Sequence, residues 1–319
     1  MRIVFFGTPE YVLPIVEKIY KEFRSRVSRL SPIVAVVTQK PKPVGRKHFF
    51  EYSAIDSWSH KKQIPVFYSP QDLLKSGVEA DLGILAAYGE IIPPEIIDHF
   101  PHGILNIHPS LLPKYRGPSP IQAALLSPNP KTGVTIIKID EKMDHGPIVS
   151  QFKEDIKEKD TLETLRNRLF ERAANVLVAL LNPYLQRKIV LREQKHREAS
   201  YTTLINKGHG FISAEILSTV LKGGTHKNLW KIPFIKNRTV RPDPIFIEKF
   251  IRALYPWPGA WTIVKLGSGW NFKERRLKLL KAHLESGRLI LDKVQLEGKK
   301  PVSWKEFISG YPNVTLGKD

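Results

Sequence analysis

The 319-residue chain has 50 lysines and arginines against 31 aspartates and glutamates, which gives a formal net charge of +19, and it has no cysteine. Hydrophobic residues make up 42% and charged residues 25% of the chain, shares that are ordinary for a globular protein and argue against disorder. Without cysteine there are neither disulfides nor thiolate metal sites, which fits a reducing compartment. No stretch approaches about 18 uncharged apolar residues, and the first apolar run soon ends at Gly7. We therefore expect no membrane span, no targeting segment and a cytoplasmic location.

The positive charge is concentrated in the C-terminal part of the chain. Residues 1–200 hold 29 Lys and Arg against 22 Asp and Glu, a net charge of +7, whereas residues 201–319 hold 21 against 9, a net charge of +12. A basic excess of this size favours a polyanionic partner such as nucleic acid. The alternative is a basic face that is merely solvated.

The first 185 residues alternate between apolar, strand-like runs and helical stretches. Six apolar runs without strict alternation predict buried strands at residues 2–6, 33–37, 64–68, 81–88, 103–108 and 133–140. The clearest amphipathic helix covers residues 161–185. Strands covered on both faces predict an α/β fold with an open, mostly parallel, Rossmann-like sheet. Gly7 is not part of a GxGxxG pattern, so it indicates a tight turn rather than a dinucleotide site.

A polar passage at residues 186–203 is followed by a different pattern. Short strand-like pieces at residues 260–266, 276–285, 288–298 and 301–310 favour a small β-barrel. The chain is long enough for about two domains, and we expect them at residues 1–187 and 208–319, joined by a linker at 188–207. Trp257 and Trp261 should anchor the barrel core, with stacking on bases as the alternative.

Five cations lie close together within one predicted strand of the barrel. Strand alternation would turn Lys273, Arg275 and Lys281 toward one face and Arg276 and Lys278 toward the other. They cannot all contact one phosphate track, but as a set they should raise the salt-dependent affinity for a polyanion.

The stretch "GILNIHPSLLPKYRGPSP" places an amide and an imidazole at the end of an apolar strand. Asn106 and His108 are one residue apart, so their side chains share a face, and ligands of open parallel sheets bind beyond such strand ends. The run at residues 133–140 is followed by a turn that carries Asp144, for which an Asx-turn role is the alternative. Together, an amide that polarises a carbonyl and an ionisable pair that moves protons suit acyl transfer to an amine.

These residues lie in segments that resemble the signature of folate-dependent formyltransferases. The segments are "NIHPSLLPKYRGPSPIQAALL" and "TGVTIIKIDEKMDHGPIV". The resemblance implies that Asn106, His108 and Asp144 are catalytic and that 10-formyltetrahydrofolate is the co-substrate. Residues 86–93 resemble the pterin-side loop of that family, whose backbone contacts the folate ring. The folate-binding residues implied by these two segments are Ser110, Leu111, Leu112, Pro113, Ala87, Tyr88, Gly89 and Ile91.

Three further segments resemble the branch of the family that acts on methionyl initiator tRNA. They are "FFGTPEYVLPIVEKI", the basic "TQKPKPVGRKH" and "IRALYPWPGAWT". The second resembles an insertion loop that meets the acceptor end of the tRNA, which implies tRNA-binding roles for Lys42, Arg46 and Lys47. The third resembles an OB-like tRNA-binding barrel, so the expected domains become a formyltransferase catalytic domain and a basic, OB-like tRNA-binding domain.

The expected activity is therefore formyl transfer to the α-amine of methionyl initiator tRNA by a monomer. Two alternatives stay open, a formyltransferase acting on an amino sugar nucleotide or other small amine, and a non-catalytic RNA-binding protein on the same scaffold. His145 could tune Asp144 or point into solvent. The remaining histidines show no HxxxH or HExxH spacing, so we expect no metal.

Overall fold

The computed structural model describes residues 1–25, 30–44, 49–268 and 271–316. The strands of these residues are β1 Ile3–Gly7, β2 Ile33–Val37, β3 Lys42–Val44, β4 Phe49–Glu51, β5 Val66–Phe67, β6 Leu82–Ala86, β7 Ile104–His108, β8 Lys131–Lys138, β9 Ile148–Asp155, β10 Trp230–Lys231, β11 Thr239–Val240, β12 Ala260–Ser268, β13 Asn271–Glu285, β14 Arg288–Leu296 and β15 Val302–Ser303. The helices are α1 Leu13–Phe23, α2 Ala54–Lys61, α3 Pro70–Lys75, α4 Pro94–Asp98, α5 Pro120–Leu125, α6 Leu162–Leu185, α7 Ala214–Leu221, α8 Pro244–Leu254 and α9 Trp304–Gly310.

A seven-stranded sheet with the order β5-β2-β1-β6-β7-β8-β9 positions the candidate site. The strands from β5 to β7 pair in parallel, while β8 and β9 are antiparallel to their neighbours. The strand order reverses between β1 and β6, which is where such sheets bind ligands. The expected mostly parallel, Rossmann-like sheet is confirmed, with an antiparallel edge that the apolar runs did not indicate.

The sheet core follows from strands that are covered on both faces. Every residue of β1 and of β7 is buried, as expected for apolar runs without alternation. Phe6 lies at the centre of one cluster, where its ring meets the rings of Tyr88 and Phe100 edge to face at 5.9 and 6.0 Å. The strands whose ends carry the candidate site residues are therefore packed into the core along their whole length.

The chain divides into two compact units. The first comprises Met1–Arg116, Lys131–Asp155 and Arg166–Ser200, and it contains the seven-stranded sheet. The second comprises Gly117–Pro130, Ile156–Leu165 and Tyr201–Asp319, and it contains an antiparallel sheet with the order β12-β13-β14-β15. The antiparallel C-terminal sheet agrees with the predicted change of pattern. None of the helices in the described ranges is long and apolar enough to cross a membrane.

Three details of the second unit differ from the sequence-based expectations. Residues 301–310 are mostly helix α9, because Ser303 and Glu306 form a capping box that outweighs the strand-like pattern. The pairing of β13 with β14 shifts register on both sides of Lys281, so alternation breaks there and Lys281 does not share the face of Lys273. Trp257 does not anchor a core, since 53% of its surface is exposed.

Candidate active site

The three predicted catalytic residues converge at the end of β7. Asn106 and His108 are 8% and 5% exposed and, as alternate residues of one strand, share a face. The Asn106 amide Nδ2 donates a hydrogen bond of 3.2 Å to Oδ1 of Asp144, and Nδ1 of His108 lies 3.5 Å from the same oxygen. One carboxylate oxygen thus bridges an amide and an imidazole, both largely removed from water.

The other ring nitrogen of His108 determines its tautomer. Nε2 lies 3.0 Å from the backbone oxygen of Tyr115. Because a carbonyl oxygen only accepts hydrogen bonds, Nε2 carries a proton and donates it. Nδ1, which faces Asp144, is therefore the ring atom that can take up and release a proton.

Asp144 reaches this position on a loop that reverses direction, since β8 is antiparallel to β7. The C-terminal end of β8 lies beside the start of β7, because Lys138 pairs with Leu105 while His108 pairs with Thr135. The loop returns because Lys138 N donates to the Pro147 carbonyl across its base, at 3.0 Å. Asp144 has φ +50°, a left-handed conformation that aspartate tolerates. A Cβ on Gly146 would overlap the Lys138 carbonyl oxygen, so the tight reversal requires glycine there.

Two other residues of this loop, Asp140 and His145, interact with each other. Asp140 makes an Asx-type bond in this loop, accepting from Lys142 N at 3.0 Å. His145 donates from Nδ1 to Asp140 Oδ2 at 2.7 Å, and its ring stacks on that of His196 with centroids 3.9 Å apart. The His145 imidazole therefore interacts with Asp140 and His196.

The segment 110–113, predicted to line the folate site, is fixed by buried hydroxyl groups. Ser110 donates from Oγ to the Lys114 carbonyl at 2.6 Å. Thr135 on β8 donates to the Ser110 carbonyl at 2.7 Å and accepts from Leu112 N at 3.0 Å. Leu112 is buried in a small cluster with Ile137 and Ile148, while Leu111 and Pro113 are half-buried. Leu111 and Pro113, three and five residues after His108, therefore expose part of their apolar side chains.

The predicted pterin-side loop follows β6. Tyr88 is 1% exposed and belongs to the sheet core, and burial raises the pKa of its hydroxyl, helped by Glu90. Its side chain is therefore unavailable to a ligand, and Thr8 donates to its backbone oxygen. Ala87 and Gly89 have φ of +46° and +91°, and Ile91 is 81% exposed. Within the described parts of the chain, the backbone groups of residues 89–91 make no hydrogen bond.

The predicted tRNA-binding residues fall partly outside the described ranges. Lys42 lies on β3 and donates to the Gln39 side chain at 3.3 Å. Arg46 and Lys47 lie outside the described residues. On β4, which pairs with β3, Phe49 and Phe50 are 70% and 65% exposed. These aromatic side chains beside a lysine were not singled out from the sequence.

Two further buried residues connect to the Asp144 loop. Gln194, within the predicted linker, is 4% exposed and donates to the backbone oxygens of Asp144 and Gly146. Arg116, 2% exposed, donates to the Gln194 side-chain oxygen at 2.7 Å and to His196 Nδ1 at 2.8 Å. Arg116 stands within the stretch that suggested the site, whereas nothing in the sequence pattern indicates Gln194. In the described ranges, no group of three or more His, Asp or Glu is arranged to hold a metal ion.

Comparison with known proteins matches two family models to the chain. A model described as formyl transferase matches residues 1–181, and one described as formyl transferase, C-terminal domain, matches residues 243–288. A curated methionyl-tRNA formyltransferase of Roseiflexus sp. is 34% identical over 270 residues, which cover 82% of this chain and 73% of the relative. One of Chloroflexus aggregans is 30% identical over 344 aligned residues, covering 99% and 100% of the two chains.

Solved structures share the fold at lower sequence identity. A methionyl-tRNA formyltransferase from Clostridium thermocellum superposes with a TM-score of 0.55 at 18% identity, covering 93% of this chain and 98% of that one. An N-formyltransferase from Helicobacter canadensis, in complex with folinic acid and dTDP-3-aminofucose, gives 0.58 at 17% identity, covering 87% and 95%. At these identities the structures bear on the fold alone.

Proposed function

The chain belongs to the formyl transferase family, and from this premise we propose that it transfers the formyl group of 10-formyltetrahydrofolate to the α-amine of methionyl initiator tRNA. The observation that carries the proposal is the carboxylate oxygen of Asp144, which lies 3.2 Å from the Asn106 amide and 3.5 Å from the His108 imidazole. The curated relatives that cover most of the chain are named methionyl-tRNA formyltransferases.

The residues around this trio fit a folate. The bound folate supplies a formyl group attached to nitrogen. The exposed Ile91 and the backbone of residues 89–91, which has no hydrogen bond within the described chain, suit a flat heterocycle that offers both donors and acceptors. Leu111 and Pro113 provide the half-buried apolar surface that such ligands contact. Tyr88 would contribute through its backbone only, because its side chain is buried.

The trio divides the chemistry of transfer to an amine. Asn106 would donate a hydrogen bond to the carbonyl oxygen, where negative charge develops as the amine nitrogen bonds to the formyl carbon. His108 would accept the amine proton on Nδ1 and return it to the folate nitrogen as the old carbon–nitrogen bond breaks. Asp144 would stabilise the imidazolium that forms in between, and its bond to Asn106 orients the amide.

The charge distribution supports a tRNA as the carrier of the amine. Residues 201–319 have a net charge of +12, and neutralisation of phosphates by Lys and Arg supplies most sequence-independent affinity for nucleic acid. Lys42, with Arg46 and Lys47, would meet the end of the tRNA, while residues 208–319 would bind its backbone. We propose that a single copy of the chain is sufficient for both contacts.

Direct assay of the product tests the proposal. The purified chain is incubated with 10-formyltetrahydrofolate and one of three amines: methionyl initiator tRNA, methionyl elongator tRNA and an amino sugar nucleotide. We expect formylmethionine from the initiator tRNA, at a rate well above that for the elongator, and no formylated sugar. Formylation of the sugar alone would replace the proposed substrate, and formylation of none of the three would reject an enzymatic role.

A further inference from the structure

Gln194 is connected to the Asp144 loop through both hydrogens of its side-chain amide. Nε2 donates to the backbone oxygen of Asp144 at 2.9 Å and to that of Gly146 at 2.8 Å. The two accepting carbonyls flank His145 and Gly146, directly after the residue that has φ +50°. Gln194 is 4% exposed, so water does not readily replace these bonds.

Arg116 fixes which way the Gln194 amide points. Nη2 of Arg116 donates to Oε1 of Gln194 at 2.7 Å. A guanidinium can only donate, so the amide oxygen must face Arg116 and the amide nitrogen must face the two loop carbonyls. Arg116 itself is 2% exposed and its backbone N–H donates to the Ser200 carbonyl at 2.8 Å. The hydrogen bonds that run through Gln194 to the loop thus start at Arg116, a buried cation three residues after the segment 110–113.

We propose that Gln194 is a positioning residue for Asp144, holding the loop backbone so that the carboxylate reaches both Asn106 and His108; this rests on the proposed function. Gln194 touches the backbone of Asp144 and not the groups that react. Its effect is therefore on the position of the carboxylate. A displacement of about 1 Å in a catalytic group can cost on the order of 10²-fold in rate, so the side chain should influence turnover far more than ligand binding.

Two substitutions separate this role from a general effect on folding. Gln194→Met keeps the length of the side chain but donates to neither carbonyl. Gln194→Glu keeps an acceptor for Arg116, and so keeps the buried cation paired, but turns a carboxylate oxygen toward the carbonyls of Asp144 and Gly146. Tyr184→Phe is the control, because the buried Tyr184 also donates from its side chain to a backbone oxygen, that of His102 at 2.8 Å, in the first unit and outside the residues assigned to the site.

The experiment measures kcat for formyl transfer, the Kd for folinic acid as an unreactive folate, and the unfolding midpoint. We expect kcat to fall at least 10-fold in both Gln194 variants, with the Kd changed less than 3-fold and with Gln194→Glu unfolding within a few degrees of wild type. Tyr184→Phe should match wild type in kcat and in Kd, whatever its unfolding midpoint. A crystal structure of Gln194→Glu should show the Asp144 carboxylate moved away from Asn106.

Three outcomes would overturn the inference. They are an unchanged kcat in Gln194→Glu, a loss of kcat matched by an equal loss of folinic acid binding, and an unmoved Asp144 carboxylate despite a lower kcat. The amine that the wild type formylates distinguishes failure of this inference from failure of the proposed function. If the wild type formylates only the amino sugar nucleotide, the substrate is wrong and the same comparison is run with the sugar. If it formylates no amine, the reaction and the role of Gln194 are both rejected.

Discussion

Asn106 has two tasks at the site, because the amide that would donate to the developing oxyanion also donates to Asp144. We predict that Asn106→Ala lowers kcat by about 10²–10³-fold, the usual cost of one oxyanion-hole donor. The Kd for folinic acid should stay within about 3-fold, since the folate contacts are assigned to residues 87–91 and 110–113. Stopped-time assay of formylmethionine and a binding titration give the two numbers.

Asp144→Ala should cost more than Asn106→Ala, because it removes the partner of His108 and also replaces an aspartate at φ +50°. Equal rates in the two variants would contradict the distinct roles. Full activity in either variant would dismiss the assignment of the trio.

We expect His196 to make the free energy of unfolding depend on pH. Partial burial lowers the pKa of His196 below its ordinary value of 6.5, and the nearby His145 and Arg116 lower it further, whereas Glu193 and Asp140 act in the opposite direction. Its Nδ1 must accept from Arg116, so the bond exists only while that nitrogen is unprotonated. Since the unfolded chain binds this proton at higher pH than the folded chain, the stability it contributes is complete above pH 6.5 and declines as the pH falls through the lowered pKa.

We therefore predict that in His196→Gln the free energy of unfolding depends less on pH below 6.5. Glutamine can still accept from Arg116 but does not titrate. Unfolding by urea at pH 7.5 and 5.5 should show a smaller loss of free energy in the variant than in the wild type. Parallel curves would show that the contact with Arg116 does not depend on protonation of His196.

The sequence allowed some of these residues to be predicted and not others. Asn106 and His108 are alternate residues at the end of an apolar run, and that spacing alone places them on one face. Gln194 is 50 residues from Asp144 and binds its backbone. A bond between a side chain and a distant backbone leaves no trace in periodicity or composition, so a polar passage around it resembles a linker.

At the level of elements, Thr135 connects β8 to the segment 110–113. Its Oγ1 donates to the Ser110 carbonyl and accepts from Leu112 N and from Gln151 Nε2, and the residue is fully buried. We predict that Thr135→Val, which keeps the shape and removes the hydroxyl, lowers the free energy of unfolding by about 1–3 kcal/mol. The KM for the folate should rise more than kcat falls, because the segment loses its anchor.

Thr262 offers a matched control for this substitution. It is also fully buried, but its Oγ1 has no hydrogen-bond partner among the described residues. Thr262→Val should therefore leave the free energy of unfolding unchanged or raise it, since an unsatisfied buried hydroxyl is replaced by a methyl group. A similar loss of stability in both variants would show that the hydrogen bonds of Thr135 are not the cause.

Element types were predictable where burial imposed a pattern on the sequence. β2 covers the predicted residues 33–37 and α6 begins within one residue of the expected start. The direction of β8 was not predictable, since an apolar run has the same appearance in parallel and antiparallel pairing. The helix α9 was missed because its signal is local, a serine and a glutamate three residues apart.

At the scale of the whole molecule, the net charge of +19 predicts how formyl transfer responds to salt. Raising the salt from about 50 to 200 mM should raise the KM for tRNA by at least 10-fold, because each phosphate contact releases counterions. The KM for the folate should change little in the same experiment, which serves as its internal control. If the KM for tRNA does not change with salt, the positive charge no longer supports tRNA as the partner.

The two parts of the proposed catalytic trio are held by different kinds of structure. Asn106 and His108 depend on strand alternation, so deletion of Ile107 between them would turn them to opposite faces. Asp144 depends on a reversing loop whose base is closed between Lys138 and Pro147. A substitution in that loop, such as one at His145 that removes its contacts with Asp140 and His196, can therefore alter the position of Asp144 while Asn106 and His108 keep their places on β7.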